Sequence, residues 1–248
     1  MSSAARADQS AAGPEPKYYE LRRWLRQHLD GLAPGTPVDA ERALSERFNI
    51  SRTTVRQALH DLAVEGRIVR MQGRGTFVAP PKVTQSLQLT SYTEDMTGQG
   101  LRPGSKLIDI TLTEAEPDVA ERLQLAVGSP VVRIERVRYA NGEAMAVETV
   151  YLDGLRFPDI GAQLSADASL YSLLAERYGI VPVAGEETIE TVLAPPSASR
   201  LLGTDSTTPM LLLIRTSRDA SGRPLEHVRS LYRGDRFRFA AKLARPES

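Results

Sequence analysis

No cysteine occurs in the 248 residues, which excludes a disulfide framework, a thiolate nucleophile and a cysteine-ligated zinc finger. Histidine is nearly as scarce. His28, His60 and His227 lie far apart in the chain, so no metal site is expected, and no nucleophile with a neighbouring base is legible. No catalytic residue and no cofactor are therefore expected. Apolar runs all fall short of the roughly 20 residues that a membrane-crossing helix needs. The opening MSSAARADQSAAGPEP lacks the apolar centre of a secretory leader. A cytoplasmic protein with no membrane partner is the expectation, with residues 1–16, small and polar, as a disordered tail. Net charge is missing too, because 31 Lys+Arg balance 31 Asp+Glu. That zero conceals an asymmetry: residues 16–80 carry 11 Lys/Arg against 7 Asp/Glu, and residues 81–248 carry 19 against 22. Local charge attracts an anionic partner, so the first third of the chain is where one is sought.

The stretch Asp39–Val78 holds the densest pattern. Ala43, Leu44 and Phe48 give a short helix one apolar side, Asn49-Ile50 turn the chain, and Ser51 stands where an N-cap belongs. From Arg52 to Glu65, Val55, Leu59 and Leu62 recur at helical spacing, while Arg52, Thr53, Thr54 and Arg56 fill the first turn. Gly66 stops that helix. Ile68–Met71 and Thr76–Val78 then flank Gln72-Gly73-Arg74-Gly75, a hairpin with a basic tip. A helix-turn-helix places the start of its second helix in the major groove, where arginine pairs with guanine and threonine meets thymine or phosphate. Arg74 on the wing would reach the minor groove or a phosphate. Double-stranded DNA is the partner this pattern implies.

The same stretch resembles the winged helix-turn-helix of the GntR family of bacterial transcription regulators. The resemblance is carried by Ala40-Glu41-Arg42, Ser51-Arg52-Thr53-Thr54-Val55-Arg56, Glu65-Gly66 and Gln72-Gly73-Arg74-Gly75-Thr76-Phe77-Val78. It implies DNA contacts from Arg42, Arg52, Thr53, Thr54, Arg56 and Gly73, with Gln72 and Arg74 near the groove. Asp39 departs from the family pattern, and its side chain is expected to cap the helix that follows.

Elsewhere, Leu21, Leu25, Leu29 and Leu32 mark a helix that packs under this unit. Ala79-Pro80-Pro81 begins a linker over 80–90, so the domains read as 17–79 and 91–245. A helix is expected from Thr93 to Gln99. There Thr90, Ser91 and Tyr92 form either an anion site or, as spacing alone favours, an ordinary N-cap. Strands follow, with helices at 118–125, 169–178 and 196–202, and with 236–243 closing the sheet. The fold class is α+β, with an antiparallel sheet in the second domain. Along 131–139, Val132, Ile134, Arg136 and Arg138 share a face. A two- or four-residue loop at Asn141-Gly142 would set Glu148 against Glu135; a three- or five-residue loop sets it against Arg136. The favourable charge pairing selects the latter. The strand 210–217 reads as buried and apolar.

Arg136 and Arg138 on a face that begins apolar need partners, Glu148 and Glu226 offer acceptors, and Tyr171 and Tyr232 offer rings and phenols. On spacing alone this is first a set of structural ion pairs on a half-solvated sheet. However, residues 83–243 resemble the ligand-sensing UTRA domain of the HutC-type subfamily, a fold similar to chorismate lyase. The resemblance runs through Leu89–Met96, Arg133–Arg138, Asn141–Glu148, Ser169-Leu170-Tyr171 and Val228–Asp235. Within that subfamily it is nearest the amino-sugar regulators of the NagR/DasR group.

This resemblance implies a homodimeric repressor of amino-sugar genes that reads a palindromic operator. Its implied effector is N-acetylglucosamine-6-phosphate or glucosamine-6-phosphate. Thr90, Ser91, Tyr92 and Arg136 would hold the phosphate, and Arg138, Glu148, Ser169, Tyr171, Glu226 and Tyr232 the sugar. The rivals are the same regulator answering to urocanate, a fatty acid or another sugar phosphate, and a lyase-like enzyme with a DNA-binding domain.

Overall fold

Leucines spaced four apart bury one side of α1 (Lys17–Asp30): Leu21, Leu25 and Leu29 are all buried. They pack on Leu44 of α2 (Glu41–Phe48) and on Val55, Ala58, Leu59 and Leu62 of α3 (Arg52–Val64). Ile68 of β1 (Ile68–Met71) and Val78 of β2 (Gly75–Val78) complete the same core, with Trp24 and Phe48 at its margin. The computed structural model describes residues 16–71, 73–165 and 167–243, and this core belongs to the first of two units, which divide at Pro81/Lys82.

Local chemistry fixes the first unit's turns. Asn49 ends α2 in the left-handed region at φ 48°, and Ser51 Oγ accepts from the Thr54 N–H at 3.1 Å. Ser51→Ala leaves that N–H without its partner. It is expected to lower the unit's stability by about 1 kcal/mol, read as a shift in the urea midpoint. Gly66, at φ 72°, turns the chain out of α3. The strands pair antiparallel with Ile68 opposite Val78, and residues 35–38 run along β2 through bonds such as Val38 N to Thr76 O. Two expectations fail here. Asp39 does not cap α2, whose N-cap is Ala40 with no side-chain bond, and Ala43 faces solvent.

The second unit opens with β3 (Val83–Ser86), α4 (Tyr92–Gly98), β4 (Pro103–Glu114), α5 (Pro117–Leu123), β5 (Pro130–Ala140) and β6 (Glu143–Asp153). It continues through α6 (Ile160–Gln163), α7 (Leu170–Tyr178), β7 (Ala184–Leu193), α8 (Pro196–Leu202), β8 (Pro209–Arg218), β9 (Pro224–Arg233) and β10 (Phe237–Ala240). Six strands form one antiparallel sheet in the order β4-β5-β6-β9-β8-β7. On one face Val132, Ile134, Val150, Leu152 and Val228 pack on Phe157, Ile160, Leu170 and Leu174 around α6 and α7. On the other, α5 sits against Val131 and Tyr151, and α8 against Val137, Val147 and Met210.

Residues 83–86 are not linker. Val83 and Gln85 turn inward, and β3 pairs in parallel with β10, Val83 opposite Phe237. Val83, Tyr92, Met96, Tyr232 and Phe237 share a small core that draws the segment in. For the same reason β10 does not close the main sheet. After β9, Gly234 passes so near Pro209 that a Cβ there would lie 2.7 Å from the Pro209 carbonyl oxygen, and the chain swings off the sheet toward β3.

The β5–β6 hairpin pairs Arg136 with Glu148, as the charge argument selects, but by a different device. The loop is the two-residue Asn141-Gly142 turn, both residues at positive φ, which alone would align Glu148 with Glu135. A bulge then shifts the register between Arg138/Ala146 and Tyr139/Ala144, leaving Met145 as the extra residue.

Candidate functional site

Two groups of polar side chains stand out, one in each unit. In the first, the start of α3 faces solvent: Arg52, Thr53 and Arg56 are exposed, and Thr54 is half-buried with its hydroxyl 2.9 Å from Ser51 Oγ. Arg52 has no ion-pair or hydrogen-bond partner among the described residues. Arg56 pairs with Glu41 at 3.1 Å and Arg42 with Glu46 at 3.2 Å, both in exposed contacts that a phosphate can displace at little cost. Arg74 is exposed at the hairpin tip, and Gly73 and Gly75 adopt φ of 72° and 112°, conformations that suit glycine. Gln72 lies outside the described residues, as does the tail 1–15. The free N–H groups of the α3 start and a surplus of arginine make a surface suited to a phosphate backbone.

In the second unit, strand register assembles the other group. Arg136 and Arg138 on β5, Glu148 on β6, Glu226 on β9 and Arg215 and Ser217 on β8 all emerge on the α7 side of the sheet. The arginines and glutamates of this group, with Ser91, Tyr92, Ser169 and Tyr171, line a cleft whose apolar lining is Val150, Leu170 and Val228. Arg136 and Glu148 form a buried pair, Nη2 to Oε1 at 2.5 Å and Nε to Oε1 at 3.1 Å. Burial works to raise the Glu148 carboxyl, but the Arg136 and Arg138 charges override it and hold the group below the usual carboxylate range. Glu226 accepts from Tyr171 Oη at 2.6 Å and Ser217 Oγ at 2.9 Å. Burial and the Glu226 charge push the Tyr171 phenol far up, so it stays a donor.

Arg138 is the group whose needs are unmet. Only 3% of it is accessible, no carboxylate oxygen lies within 4 Å of it among the described residues, and its Nε has no partner. Its one hydrogen bond goes to Ser105 Oγ at 3.3 Å, and its guanidinium stacks 4.5 Å from the Tyr92 ring centroid. Burial pulls its guanidinium below the ordinary arginine value. The Tyr92 hydroxyl is likewise buried and unpartnered. Three arginines face two glutamates around the cleft, so its walls carry an excess of positive charge. Such a site favours a small anion bearing hydroxyl or amide groups.

Several expected residues behave differently. Thr90 does not line the cleft: its hydroxyl donates to Asp95 Oδ1 at 2.6 Å. Tyr232 lies under α4, packed on Phe237 and Phe239 at ring separations of 4.7 and 5.2 Å. Ser91 lines the cleft, but it is bound in a capping box with Glu94, its N–H donating to Glu94 Oε2 at 2.7 Å. Ser169 similarly caps α7, accepting from Ser172 N at 3.3 Å.

Arg215 was missed. It lies 3.6 Å from Glu226 and 3.7 Å from Glu187, with a buried Nε that has no partner. It also borders a second cavity, walled by Leu87, Leu89, Gly185, Glu187 and Ile189. The signal was a lone arginine in the apolar run MLLLIRTS, two positions from Ser217 and therefore on its face.

Comparison with known proteins places both units in described families. Residues 17–78 match the family described as bacterial regulatory proteins, gntR family, and residues 98–238 match the UTRA domain. The HTH-type transcriptional repressor PhnF of Mycolicibacterium smegmatis is 41% identical over 233 residues, 93% of this chain and 95% of that protein. The HTH-type transcriptional repressor NagR of Bacillus subtilis strain 168 is 38% identical over 233 residues, 91% and 94% of the two chains. The crystal structure of PhnF from Mycobacterium smegmatis superposes with a TM-score of 0.66 at 41% identity, covering 90% of this chain and 99% of that one.

Proposed function

This chain belongs to the GntR family of bacterial regulatory proteins, and from that premise we propose that it is a homodimeric repressor whose operator binding is modulated by a phosphorylated amino sugar. The operator is a palindrome, each half read by the α3 start and the hairpin of one protomer. Arg42, Arg52, Thr53, Thr54, Arg56, Gln72, Gly73 and Arg74 carry the DNA contacts. N-acetylglucosamine-6-phosphate or glucosamine-6-phosphate occupies the cleft, and the controlled genes serve amino-sugar uptake and catabolism. Derepression then follows from a higher affinity of the effector for the arrangement that does not bind DNA.

The observation that carries the effector reading is Arg138, buried, unpaired and stacked on Tyr92, with a second unpartnered donor beside it. A phosphate beside Arg136 and Arg138 would satisfy these donors, while Glu148 and Glu226 accept from sugar hydroxyls or an amide. The relative named NagR supports the amino-sugar assignment. The hydroxyls of Ser91 and Ser169 are held as helix caps, which supports a binding role for the cleft. No helix among the described residues is long and apolar enough to cross a membrane, in keeping with a cytoplasmic regulator.

One feature favours a second effector class for the same regulator. The cavity on the far side of Arg215 is walled by Leu87, Leu89 and Ile189, more apolar than a sugar requires. An anion with an apolar body, such as a fatty acid, would use it; PhnF, at similar identity to NagR, leaves room for such a change of ligand.

Thermal unfolding of the purified protein separates the two. A ligand that binds only the folded state raises the melting temperature with concentration, by about 2.7 kcal/mol of stabilisation at 100 times Kd. N-acetylglucosamine-6-phosphate is expected to produce that rise and free N-acetylglucosamine none. A rise with a fatty acid or urocanate and none with either phosphosugar would remove the amino-sugar assignment.

A further inference from the structure

We propose that Asp95 is a positioning residue: its carboxylate clamps the cleft wall to the strand that leads back to the DNA-reading unit, and so couples effector to operator. The inference rests on the effector-controlled repressor just described, and it adds the side chains that carry the coupling.

The geometry is compact. Asp95 stands in the first turn of α4, where its N–H donates to Ser91 O at 3.0 Å. One carboxylate oxygen accepts from Thr90 Oγ1 at 2.6 Å, and the other accepts from Gln85 Nε2 at 2.6 Å. Gln85 belongs to β3, is 6% accessible, and lies opposite Phe239 of β10. One side chain therefore holds both ends of the segment 85–90. Upstream, residues 79–82 alone separate β3 from β2 of the hairpin. Downstream, Ser91 and Tyr92 line the cleft, with Tyr92 stacked on Arg138.

The consequence is mechanical. A ligand that engages Arg138 must accommodate or displace the Tyr92 ring, and Tyr92 and Asp95 share the opening turn of one short helix. A shift of that turn moves the carboxylate, and Gln85 follows because its amide sits in a short, half-buried hydrogen bond. Without the clamp, Ser91 and Tyr92 still form the cleft wall and β3 still pairs with β10, but the two move independently. Coupling of this kind needs a physical link that both sites bias, and this hydrogen-bonded carboxylate is one.

Two variants of the full-length protein test it. Gln85→Leu removes the amide while sparing every cleft residue. Asp95→Asn keeps the acceptor for Thr90, and its new N–H₂ can donate to Gln85 Oε1, an atom that has no partner in the native protein. Operator affinity is measured with and without saturating N-acetylglucosamine-6-phosphate, alongside the thermal shift with the same compound. Gln85→Leu is expected to bind operator and phosphosugar much as wild type does, while the effector-induced change in operator affinity shrinks by about tenfold. Asp95→Asn is expected to retain the wild-type response. Full coupling in Gln85→Leu, or equal loss in both variants, would overturn the clamp.

A ligand-free readout covers the case in which the phosphosugar proves to be the wrong effector. Gln85→Leu should speed amide hydrogen exchange at 83–86 and also at 91–96. Faster exchange confined to 83–86 would refute the link whatever the true ligand is.

Discussion

Arg136→Met is expected to destabilise the second unit by about 3 kcal/mol or more, because it strands the Glu148 carboxylate in the sheet without the guanidinium that balances it. The native pair is almost closed to solvent, with side-chain accessibilities of 4% and 10%, so water cannot substitute for the lost partner. Arg138 remains nearby, but it makes no ion pair with Glu148 within 4 Å and does not replace the two N–H groups that Arg136 donates to Glu148 Oε1. The double variant Arg136→Met with Glu148→Leu should recover most of the loss, since two apolar side chains of suitable volume remove the orphaned charge. It should nevertheless show no effector-induced thermal shift, because the cleft then lacks both groups.

The deficit of the single variant also depends on pH. In the native protein the Glu148 carboxyl is held below its ordinary value despite burial. A lowered folded-state pKa contributes stability that is present above the unfolded pKa and is lost as pH falls through the folded pKa. The wild-type advantage over Arg136→Met is therefore largest near neutral pH and narrows as pH falls through the carboxylate range. Chemical denaturation at neutral and acid pH measures this directly, and a deficit independent of pH would show that packing, not charge, is what the substitution removes.

The second large effect lies at the other end of the chain. Replacing Arg52 and Arg56 together by alanine is expected to weaken operator binding by on the order of 100-fold or more, as two arginines are lost from the helix start proposed to read the groove. If both touch phosphate, the dependence of log K on log salt should fall by about 2; if one reads a guanine, discrimination at that base pair relaxes instead. Stability should barely change, because Arg52 is unpaired among the described residues and the Arg56–Glu41 contact is exposed. Anisotropy titrations of labelled operator over a range of salt concentrations decide between these cases. Unaltered affinity would place the DNA-reading surface elsewhere.

The first unit was readable in detail because its signals are local. Ser51, Asn49 and Gly66 cap or end helices within a few residues of themselves, and the leucine spacing of α1 needs only one helix to make sense. In the second unit the alternating faces of β5, β6 and β9 were legible for the same reason, and they delivered Arg136, Arg138, Glu148 and Glu226 to one side. What sequence hid was non-local. The bulge at Met145 cannot be inferred from the turn residues, which point to the opposite register. The pairing of β3 with β10 joins the two ends of the unit, and nothing near either strand announces the other. Arg215 is hidden by its apolar neighbours in sequence, and Tyr232 is covered by Phe237 and Phe239, which arrive from beyond the sheet.

The parallel pairing of β3 and β10 also sets a clock. Thr84 and Arg238 bond across 154 residues of chain, so during synthesis β3 leaves the ribosome long before its partner exists. At about 5–20 residues per second the interval is roughly 8 to 30 s. Over that time the first unit, whose core closes within residues 21–78, is free to fold by itself. A nascent chain thus presents a finished DNA-reading head while the connection that would place it under effector control is still open. A chain ending just before Phe237 would keep the core of the first unit and lack the strand that pairs with β3.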